Sequence, residues 1–482
     1  MAPRGQGLAV QPADFGHRHG SVEAGSFRDP DSRVFLTPDG VFRVLSADGL
    51  LDWQALSATA LWRELQEEAR VVETETVELD APPDLLAAEA AAVLRHERVP
   101  FVSYPYEWPF AMLKDAALLQ LELNRRALRA DLTLKDASPY NVQWRGTAPV
   151  FIDVGSFERL RPGEPWAGYR QFCMLFLYPL MLQAYKDLPY HAALRGSLDG
   201  IAPHEARAIL SGERFRKGVL ANVLLHARLE TRYADVEGRD VRRELRRAGF
   251  KKEILDATLG KLAKVVRGLE WKPGETAWTG YGDDNTYDGA AAGRKAEFVR
   301  EAAARRHSRL TWDIGCNEGT YARIAAAHAD LVVALDADHA TVDALYRRLR
   351  EERRTDILPL VMSVTDPSPD LGWRRRERAS LERRGTPELA LCLAVVHHVC
   401  ITGNVPVPEL LDWLRSLDTT LVIEFPDRSD PMVQRLLSRK RDGANPGYEK
   451  AAFERALEER FAIERIEAVS GTRTLYETRP QA

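Results

Sequence analysis

The segment 312–319, with the sequence WDIGCNEG, combines a carboxylate with two glycines where an apolar run gives way to a helical pattern. Glycines at a strand-to-helix turn let the backbone approach a ligand closely. The free N–H groups at the start of a helix can then hold a carboxylate or a phosphate. The spacing of Asp313, Gly315 and Gly319 therefore predicts a binding site for a nucleotide-like ligand.

A second acidic residue, Asp336, follows the apolar run LVVAL seventeen residues after Gly319. An acidic side chain at the end of a second strand can accept hydrogen bonds from both hydroxyls of a ribose. Dinucleotide-binding proteins use this logic with the glycine pattern G-x-G-x-x-G, whereas this chain has D-x-G-x-x-x-G. The motif alone could be only a tight turn, but strand, glycines, helix and Asp336 in this order favour a ligand site.

Three further candidates for chemistry end later apolar runs. His397 and His398 close the run LALCLAVVHH, and Glu424 closes TTLVIE. A neutral histidine can accept the proton that a nucleophile loses, and a carboxylate can act as an acid or a base. The histidines could equally orient a bound ligand or close the end of the strand, and both interpretations stay open.

After residue 271 the chain alternates between predicted strands and predicted helices. Such alternation indicates an α/β fold with a mostly parallel sheet that helices cover. Open sheets of this kind bind ligands at the carboxyl ends of their strands, where all the candidates named above would meet. The turn residues of the sequence WKPGE at 271–275 indicate a domain boundary.

The chain before this boundary is predicted to be organised differently. A hairpin is expected around Asp39-Gly40, a helix from Ala81 to Arg95, and a buried helix from Phe172 to Tyr185. The predicted domains are an irregular lead-in at 1–30, a small α+β unit at 31–110, a mostly helical part at 111–270 and the α/β domain at 271–482.

Two basic runs lie inside the α/β domain, at 346–354 and 373–384. Both are mixed with glutamate, and charge runs of that kind usually indicate solvated helix faces. We therefore expect both runs to be exposed helices.

The composition of the 482 residues indicates an ordinary folded protein, with 45% hydrophobic and 29% charged residues. Sixty-seven Lys and Arg against 71 Asp and Glu leave a formal charge of −4, which gives no global electrostatic footprint for nucleic acid. Four cysteines without C-x-x-C spacing disfavour a zinc site or a disulfide framework. We expect no membrane segment, no secretory signal and a location in the reducing cytoplasm.

The turn D-x-G-x-x-x-G followed by Asp336 resembles motif I of the class I S-adenosylmethionine (SAM) methyltransferases. From 281 to 479 the chain also resembles the methyltransferases grouped with the nodulation protein NoeA, in the segments LALCLAVVHHV, GNVPVPELLDWL, VIEFPDRSDPMVQRLL and GTRTLYE. The resemblance implies a Rossmann-like sheet of seven strands with a closing pair after the fifth, and SAM as the cofactor. Asp313 and Gly315 would then lie beside the methionine part of SAM, with Gly319 at the helix start and Asp336 on the ribose.

The resemblance also implies cofactor contacts outside motif I. The loop VMSVTD at 361–366 would pass the adenine, with Thr365 and Asp366 as contacts, although Ser363 stands where many relatives have an acidic residue. Tyr287 would fold over the cofactor as part of a lid. Its alternative role is to pack on the sheet at the start of a helix.

Asp136, Asn141 and Asp153 flank a predicted hairpin, with the asparagine five residues after the first aspartate and the second aspartate twelve further on. This pattern resembles the catalytic lobes of protein kinases and aminoglycoside phosphotransferases. The resemblance implies an N-terminal α+β kinase-like domain, with a reduced nucleotide lobe at 31–110 and a helical lobe at 111–270. Asp136 would be the base, and Asn141 and Asp153 would hold Mg²⁺ on the phosphates of ATP.

One departure from the kinase pattern is that no lysine precedes Lys114 and no glycine-rich loop is present. Arg43 would substitute poorly, because a planar guanidinium and a compact ammonium are not equivalent. The sequence therefore favours a degenerate kinase-like domain, a pseudokinase that binds substrate or acts as a scaffold, over an active kinase. The remaining alternative is that Asp136, Asn141 and Asp153 only cap turns.

Taken together, these features predict a SAM-dependent methyltransferase that acts on a hydroxyl, an amine or a similar nucleophile of a small molecule. Overall acidity and the lack of a recognised RNA- or DNA-binding module favour a specialised or sugar-containing metabolite over nucleic acid. The alternatives are an RNA or protein methyltransferase, a bifunctional kinase and methyltransferase, and a non-enzymatic SAM-sensing scaffold.

Overall fold

The computed structural model describes residues 21–23, 25–38, 40–77, 90–228, 251–274, 289–441, 443 and 445–481. Its internal contacts divide the chain into two compact units. The first comprises Met1–Leu51 and Glu73–Arg98, and the second comprises Asp52–Val72 and Val99–Ala482. Most of the predicted lead-in and the whole of Tyr287 lie outside the described residues, and the division into four domains stays a prediction.

The first unit contains an antiparallel sheet with the strand order β1-β2-β3-β5-β4. The predicted hairpin is confirmed in its described residues, because β2 and β3 pair from Ser32–Leu45 to Thr37–Gly40. The strands are β1 Ser21–Val22, β2 Ser32–Thr37, β3 Gly40–Leu45, β4 Thr74–Val77 and β5 Ala92–His96.

The helix predicted from Ala81 to Arg95 is wrong at its described end, where Ala92–His96 forms strand β5. This strand lies between β3 and β4 and makes antiparallel pairs with both. A short apolar run fits a helix or a strand equally well by its pattern. Burial of Val93 and Leu94 between two partner strands decides the outcome.

The part of the second unit up to residue 274 is mainly helical. Its longest helix, α3, is buried along most of its length from Phe110 to Leu128. The predicted buried helix is confirmed: α4 continues through a π-helical turn at Cys173–Leu177 into α5, and Phe172 to Gln183 are all buried. The helices are α1 Ala47–Ser57, α2 Ala60–Glu67, α3 Phe110–Arg129, α4 Tyr169–Phe172, α5 Tyr178–Lys186, α6 His191–Gly196, α7 Pro203–Leu210 and α8 Lys252–Arg267.

Two small antiparallel pairs accompany these helices, β6 with β9 and β7 with β8. The predicted hairpin between Asn141 and Asp153 is confirmed as the β7–β8 pair, which turns at Gly146 with φ +57°. A Cβ at Gly146 would lie 2.5 Å from the backbone of Thr355, so this turn is in close contact with the chain at that residue. The strands are β6 Leu132–Leu134, β7 Val142–Arg145, β8 Ala148–Phe151 and β9 Phe157–Arg159.

The rest of the second unit is built on the predicted seven-stranded sheet, which is confirmed. Its order is β12-β11-β10-β13-β14-β16-β15, with five parallel strands and a closing antiparallel pair. The strands are β10 Ser308–Ile314, β11 Ala329–Asp336, β12 Ile357–Val361, β13 Leu389–Cys392, β14 Thr420–Pro426, β15 Phe461–Ala468 and β16 Arg473–Pro480. The helices are α9 Gly289–Ala304, α10 Thr320–Ala326, α11 His339–Glu351, α12 Val407–Ser416, α13 Pro431–Leu437 and α14 Lys450–Glu458.

The edge of this sheet at β12 is covered by the preceding helical part. The 3₁₀ turn Pro105–Glu107 packs against β12. The backbone N–H and the hydroxyl of Thr147 both donate to the carbonyl of Arg354, at 3.1 and 2.8 Å. Asp343 on α11 accepts from the backbone N–H of Ala111 at 2.6 Å. Sheet and helical part therefore pack directly against each other, and β12 is buried along its whole length.

The prediction of a solvated helix at 373–384 is wrong for the helix and only partly confirmed for the exposure, since residues 373–376 are exposed. This segment contains only two 3₁₀ turns, and it packs on the helical part. The guanidinium of Arg384 is 2% exposed and donates to both carboxylate oxygens of Glu107, at 2.6 and 2.8 Å. That of Arg378 lies 3.9 Å from the ring centroid of Tyr140. A charge run in the sequence does not reveal which of its members have partners far away in the chain. In the run at 346–354, by contrast, most of the charged residues are exposed.

No helix in the described ranges is both long and apolar enough to cross a membrane.

We predict that replacing Arg384 with methionine lowers the free energy of unfolding by about 3–5 kcal/mol, because it leaves the buried Glu107 carboxylate without a compensating charge. The matched control is Arg383→Met, since Arg383 pairs with Asp370 at the surface, where the pair is worth less than about 1 kcal/mol. Urea denaturation followed by tryptophan fluorescence measures both changes. Equal effects of the two substitutions would contradict the prediction.

Candidate functional site

The predicted site residues of the α/β domain that the structure describes lie at one edge of the seven-stranded sheet. Strands β10 to β14 are parallel, so their carboxyl ends meet at this edge. From β10 the chain crosses to β11, which lies on one side of β10, whereas β13 lies on its other side. Such a reversal of strand order opens a crevice beyond the carboxyl ends of the two central strands.

The turn after β10 depends on two glycines in the left-handed region, Gly315 with φ +75° and Gly319 with φ +79°. A Cβ at Gly315 would lie 2.3 Å from Cγ2 of Val395, and one at Gly319 would lie 2.7 Å from Cδ1 of Leu345. Conformation and packing therefore both exclude a side chain at either position. The N–H groups of Gly315 and Cys316 donate to the carbonyl of Leu335, which holds the turn beside the end of β11.

Asp336, the last residue of β11, binds the glycine turn directly. One carboxylate oxygen accepts from the N–H of Asn317 and the other from the N–H of Asp338, each at 2.9 Å. Burial raises the pKa of this carboxyl, and the two backbone N–H groups oppose that rise. The two features that the sequence singled out are thus physically joined, with the carboxylate next to the glycine turn.

Asp313, near the end of β10, has a buried carboxyl group whose hydrogen-bonding capacity the described residues fill only in part. Its Oδ2 atom has no hydrogen-bond partner in the part of the chain that the structure describes. Burial raises the pKa of Asp313 to about 7, against the opposing charge of Lys295. A buried carboxylate oxygen without a partner is costly and has the chemistry to accept from a ligand ammonium group.

A buried ion-pair network lies beside Asp313. Lys295 on α9 contacts Glu424 at 2.6 Å, and Arg473 on β16 lies 3.7 Å from the other oxygen of Glu424. Arg473 also pairs with Asp430 at 2.7 Å. Glu424 is therefore an anion between two cations. Arg473 and Asp430 were not predicted as site residues, although both are buried in the structure.

His397 and His398 lie at the loop that follows β13, where a π-helical turn begins at His398. Their ring centroids are 4.1 Å apart, and neither ring nitrogen of His397 has a hydrogen-bond partner among the described residues. Burial lowers the pKa of His397 well below its usual range and that of His398 to about 4. Both imidazoles are therefore neutral at pH 7.

The loop after β12 carries Thr365 and Asp366. The Thr365 hydroxyl lies 2.8 Å from that of Ser363. The carboxylate of Asp366 is largely exposed, and Arg195 on α6 binds both of its oxygens, at 2.8 and 2.9 Å. The expected adenine contacts of Thr365 and Asp366 stay a prediction, as does the lid role of Tyr287, which lies outside the described residues.

The three residues of the kinase-like pattern lie on adjoining backbone segments. Asn141 ends a 3₁₀ turn, and its carbonyl accepts from the N–H of Ile152 at 2.9 Å, which brings it beside Asp153. Ser156 connects the other two, since its N–H donates to the carbonyl of Asp153 at 3.0 Å and its hydroxyl accepts from the N–H of Asp136 at 3.3 Å. All three residues are half-buried.

Within the described ranges, no group of three or more His, Cys, Asp or Glu side chains could hold a metal ion. The expected Mg²⁺ ligands are one asparagine and one aspartate, Asn141 and Asp153, so the roles of these residues stay predictions.

Comparison with known proteins gives one extensive match and several remote ones. No family model matches the chain. Among solved structures, the N-methyltransferase NodS from Bradyrhizobium japonicum WM9 is 10% identical, with a TM-score of 0.30, over 40% of this chain and 99% of NodS. Magnesium protoporphyrin IX methyltransferase (ChlM) from Synechocystis PCC 6803 with bound SAM is 15% identical, with a TM-score of 0.28, over 44% and 87%. These similarities are too low to bear on fold or activity.

The extensive match is the nodulation protein NoeA of Rhizobium meliloti (strain 1021). It is 33% identical over 460 residues, which are 94% of this chain and 95% of that protein. The similarity thus extends over both compact units, and the chain belongs to the family of the nodulation protein NoeA.

Proposed function

We propose that this protein is a SAM-dependent methyltransferase whose acceptor is a hydroxyl, amine or similar nucleophile of a small molecule. The observation that carries the proposal is the pair of buried carboxylates, Asp313 and Asp336, on either side of a glycine turn at the point where the strand order of the sheet reverses. The first suits an ammonium group and the second suits ribose hydroxyls, and SAM has both groups in one molecule.

The residues present fit this cofactor. Asp313 has a carboxylate oxygen without a hydrogen-bond partner among the described residues, and Gly315 leaves the backbone bare where a side chain would clash. Asp336 would hold the ribose, and the loop 361–366 would line the adenine. SAM, when bound, supplies a methyl group on a positively charged sulfur, and the protein must align the acceptor and exclude water.

The buried charges suggest different roles for the three predicted catalytic residues. A neutral imidazole whose pKa is about 4 can accept a hydrogen bond from a nucleophile but holds a full proton poorly at pH 7. We therefore infer that His397 and His398 orient the acceptor or cofactor. Glu424 would anchor Lys295 beside Asp313 through their 2.6 Å ion pair.

We further propose that the part of the chain with Asp136, Asn141 and Asp153 is a degenerate kinase-like domain that binds the acceptor or acts as a scaffold. The half-buried hairpin with Asn141 and Asp153 at its ends supports a polar site. The absence of any lysine before Lys114 speaks against efficient phosphate transfer, which needs a positioned cation. The alternative is a bifunctional enzyme that binds Mg²⁺ and ATP at this hairpin.

The overall charge of −4 favours a small-molecule acceptor over nucleic acid. All four cysteines are buried thiols, which agrees with our proposal of a cytoplasmic location.

We predict that Asp336→Asn weakens binding of S-adenosylhomocysteine (SAH) by about 10- to 100-fold, because the ribose hydroxyls lose a charged acceptor. Isothermal titration measures the dissociation constant. The matched control is Asp330→Asn at the opposite end of the same strand, where the carboxylate pairs with His307 at the surface. Equal affinities of wild type and Asp336→Asn would refute the ribose assignment.

We predict that the affinity for SAH rises as the pH increases from 6 to 8. The pKa of Asp313 is raised to about 7, so the carboxyl is protonated below that pH and becomes an acceptor for the ligand ammonium group above it. The Asp313→Asn variant should bind SAH more weakly and without this pH dependence. A rise of the same size in that variant would exclude Asp313 as its source.

Tritiated SAM, incubated with wild-type protein and fractionated metabolites, RNA and protein, should label a small molecule. Label found only in macromolecules would contradict this, and no label in any fraction would favour a SAM-sensing scaffold.

The same incubation with Asp153→Ala, alongside ATP turnover with Mg²⁺, tests the kinase-like part. We expect no efficient ATP turnover in either protein and less methyl transfer in the variant. Robust turnover that depends on Asp153 would instead make the protein bifunctional.

A further inference from the structure

Helix α6, His191–Gly196, is a short element of the helical part that lies near both segments expected to hold the adenosine half of SAM. The first segment is the end of β11 with Asp336, and the second is the loop after β12 with Asp366. His191 and Arg195 are four residues apart, so they lie on one face of the helix. His191 contacts the first residue of α11, His339, shortly after Asp336, and Arg195 contacts the loop after β12.

Arg195 makes four hydrogen bonds to the loop after β12. Its two terminal nitrogens bind the carboxylate of Asp366 at 2.8 and 2.9 Å. They also donate to the carbonyls of Asp366 at 3.3 Å and Pro367 at 3.1 Å. A planar guanidinium that binds a carboxylate through two parallel bonds fixes orientation as well as distance. The loop is thereby held in one position from outside the α/β domain.

His191 fixes the other end of α6. Its ring stacks on Tyr190, with centroids 4.3 Å apart, and its Nε2 lies 2.9 Å from the carbonyl of Trp108. The edge of His339, the first residue of α11, meets the same ring at 4.1 Å. His339 comes three residues after Asp336, so α6 is packed on the chain that leaves the ribose-binding position.

The loop after β12 is also contacted from the opposite side. A Cβ on Gly403, which follows the π-helical turn after His398, would lie 2.9 Å from Cγ2 of Thr365. The loop is therefore held between Arg195 and Gly403. Removing the guanidinium would free one side of the loop while leaving the sheet below it intact.

We propose that Arg195 is a positioning residue for the adenosine half of bound SAM, acting through Asp366. This inference rests on the proposed function. It assigns to the helical part a direct share in the cofactor site and gives Asp366 the role of a loop anchor, separate from any contact with the adenine.

The test is isothermal titration of the full-length protein with two ligands, SAH and 5′-methylthioadenosine, which keeps the adenosine half of SAM and lacks the amino acid. We expect Arg195→Ala and Asp366→Asn each to weaken both ligands by about tenfold. The double variant should be no weaker than Arg195→Ala alone, because without the guanidinium the side chain at position 366 has already lost this partner. Arg195→Lys should recover only part of the affinity, since an ammonium cannot bind both carboxylate oxygens in this geometry.

Two controls separate positioning from general damage. Arg207→Ala changes an exposed arginine on the neighbouring helix α7 and should leave both affinities unchanged. Asp313→Asn should weaken SAH but not 5′-methylthioadenosine, the opposite pattern to a change in the adenosine loop. The melting temperature of Arg195→Ala should stay within about 4 °C of wild type, because the pair is largely exposed.

Three results would overturn the proposal in distinguishable ways. If wild type binds neither ligand, the proposed function fails and this inference fails with it. If wild type binds both and Arg195→Ala binds them equally well, only the role of Arg195 is refuted. If Arg195→Ala weakens SAH and leaves 5′-methylthioadenosine unchanged, the residue acts on the amino-acid half instead.

Discussion

The turn from β10 into α10 can form only because residues 315 and 319 carry no Cβ. A side chain at Gly315 would enter the space of Val395 beyond β13, and one at Gly319 would enter that of Leu345 on α11. The turn therefore lies in contact with elements on both sides of β10. This tight fit brings the N–H of Asn317 within 2.9 Å of the Asp336 carboxylate. The crevice at the reversal point of the sheet depends on that single constraint.

Around this turn the protein buries more charge than the interior of a domain usually contains. Lys295, Glu424, Arg473 and Asp430 form one connected network, and Arg384 with Glu107 forms a second, separate pair. Buried pairs of this kind contribute little net stability compared with apolar residues of the same volume, but they tolerate only one arrangement of their partners. We therefore interpret both as interactions that fix positions. The network fixes the surroundings of Asp313, and the Arg384–Glu107 pair fixes the segment 362–388 on the helical part.

The sequence was sufficient for features that depend on local pattern. The alternation of strands and helices after residue 271, the glycine turn, Asp336 at the end of β11 and the hairpin between Asn141 and Asp153 all follow from periodicity and spacing within short segments. Features set by distant partners were not predictable. The helix expected through Arg95 is a strand because β3 and β4 flank it. The expected solvated arginines at 373–384 include Arg384, whose partner is 277 residues away in the chain.

The same limit applies to the candidate site. Nothing near Asp366 in the sequence indicates Arg195, which is 171 residues away, and nothing near Glu424 indicates that Lys295 and Arg473 lie on either side of it. Residue types predicted which chemistry was available. Only the folded structure reveals which of those groups already bind one another.

The helical part covers the sheet at β12, and this cover affects how such a protein could arise and whether its parts could be separated. In many α/β enzymes the catalytic sheet is a self-contained module that can be exchanged between chains, because its outer strands face solvent or a short helix. Here Thr147, Ala111 and the turn Pro105–Glu107 supply bonds and packing that the sheet lacks by itself. A fragment that begins near residue 271 would lose this cover, and the apolar side chains of β12 would then favour association with other copies of the fragment. The two halves are therefore expected to be inherited, expressed and lost together.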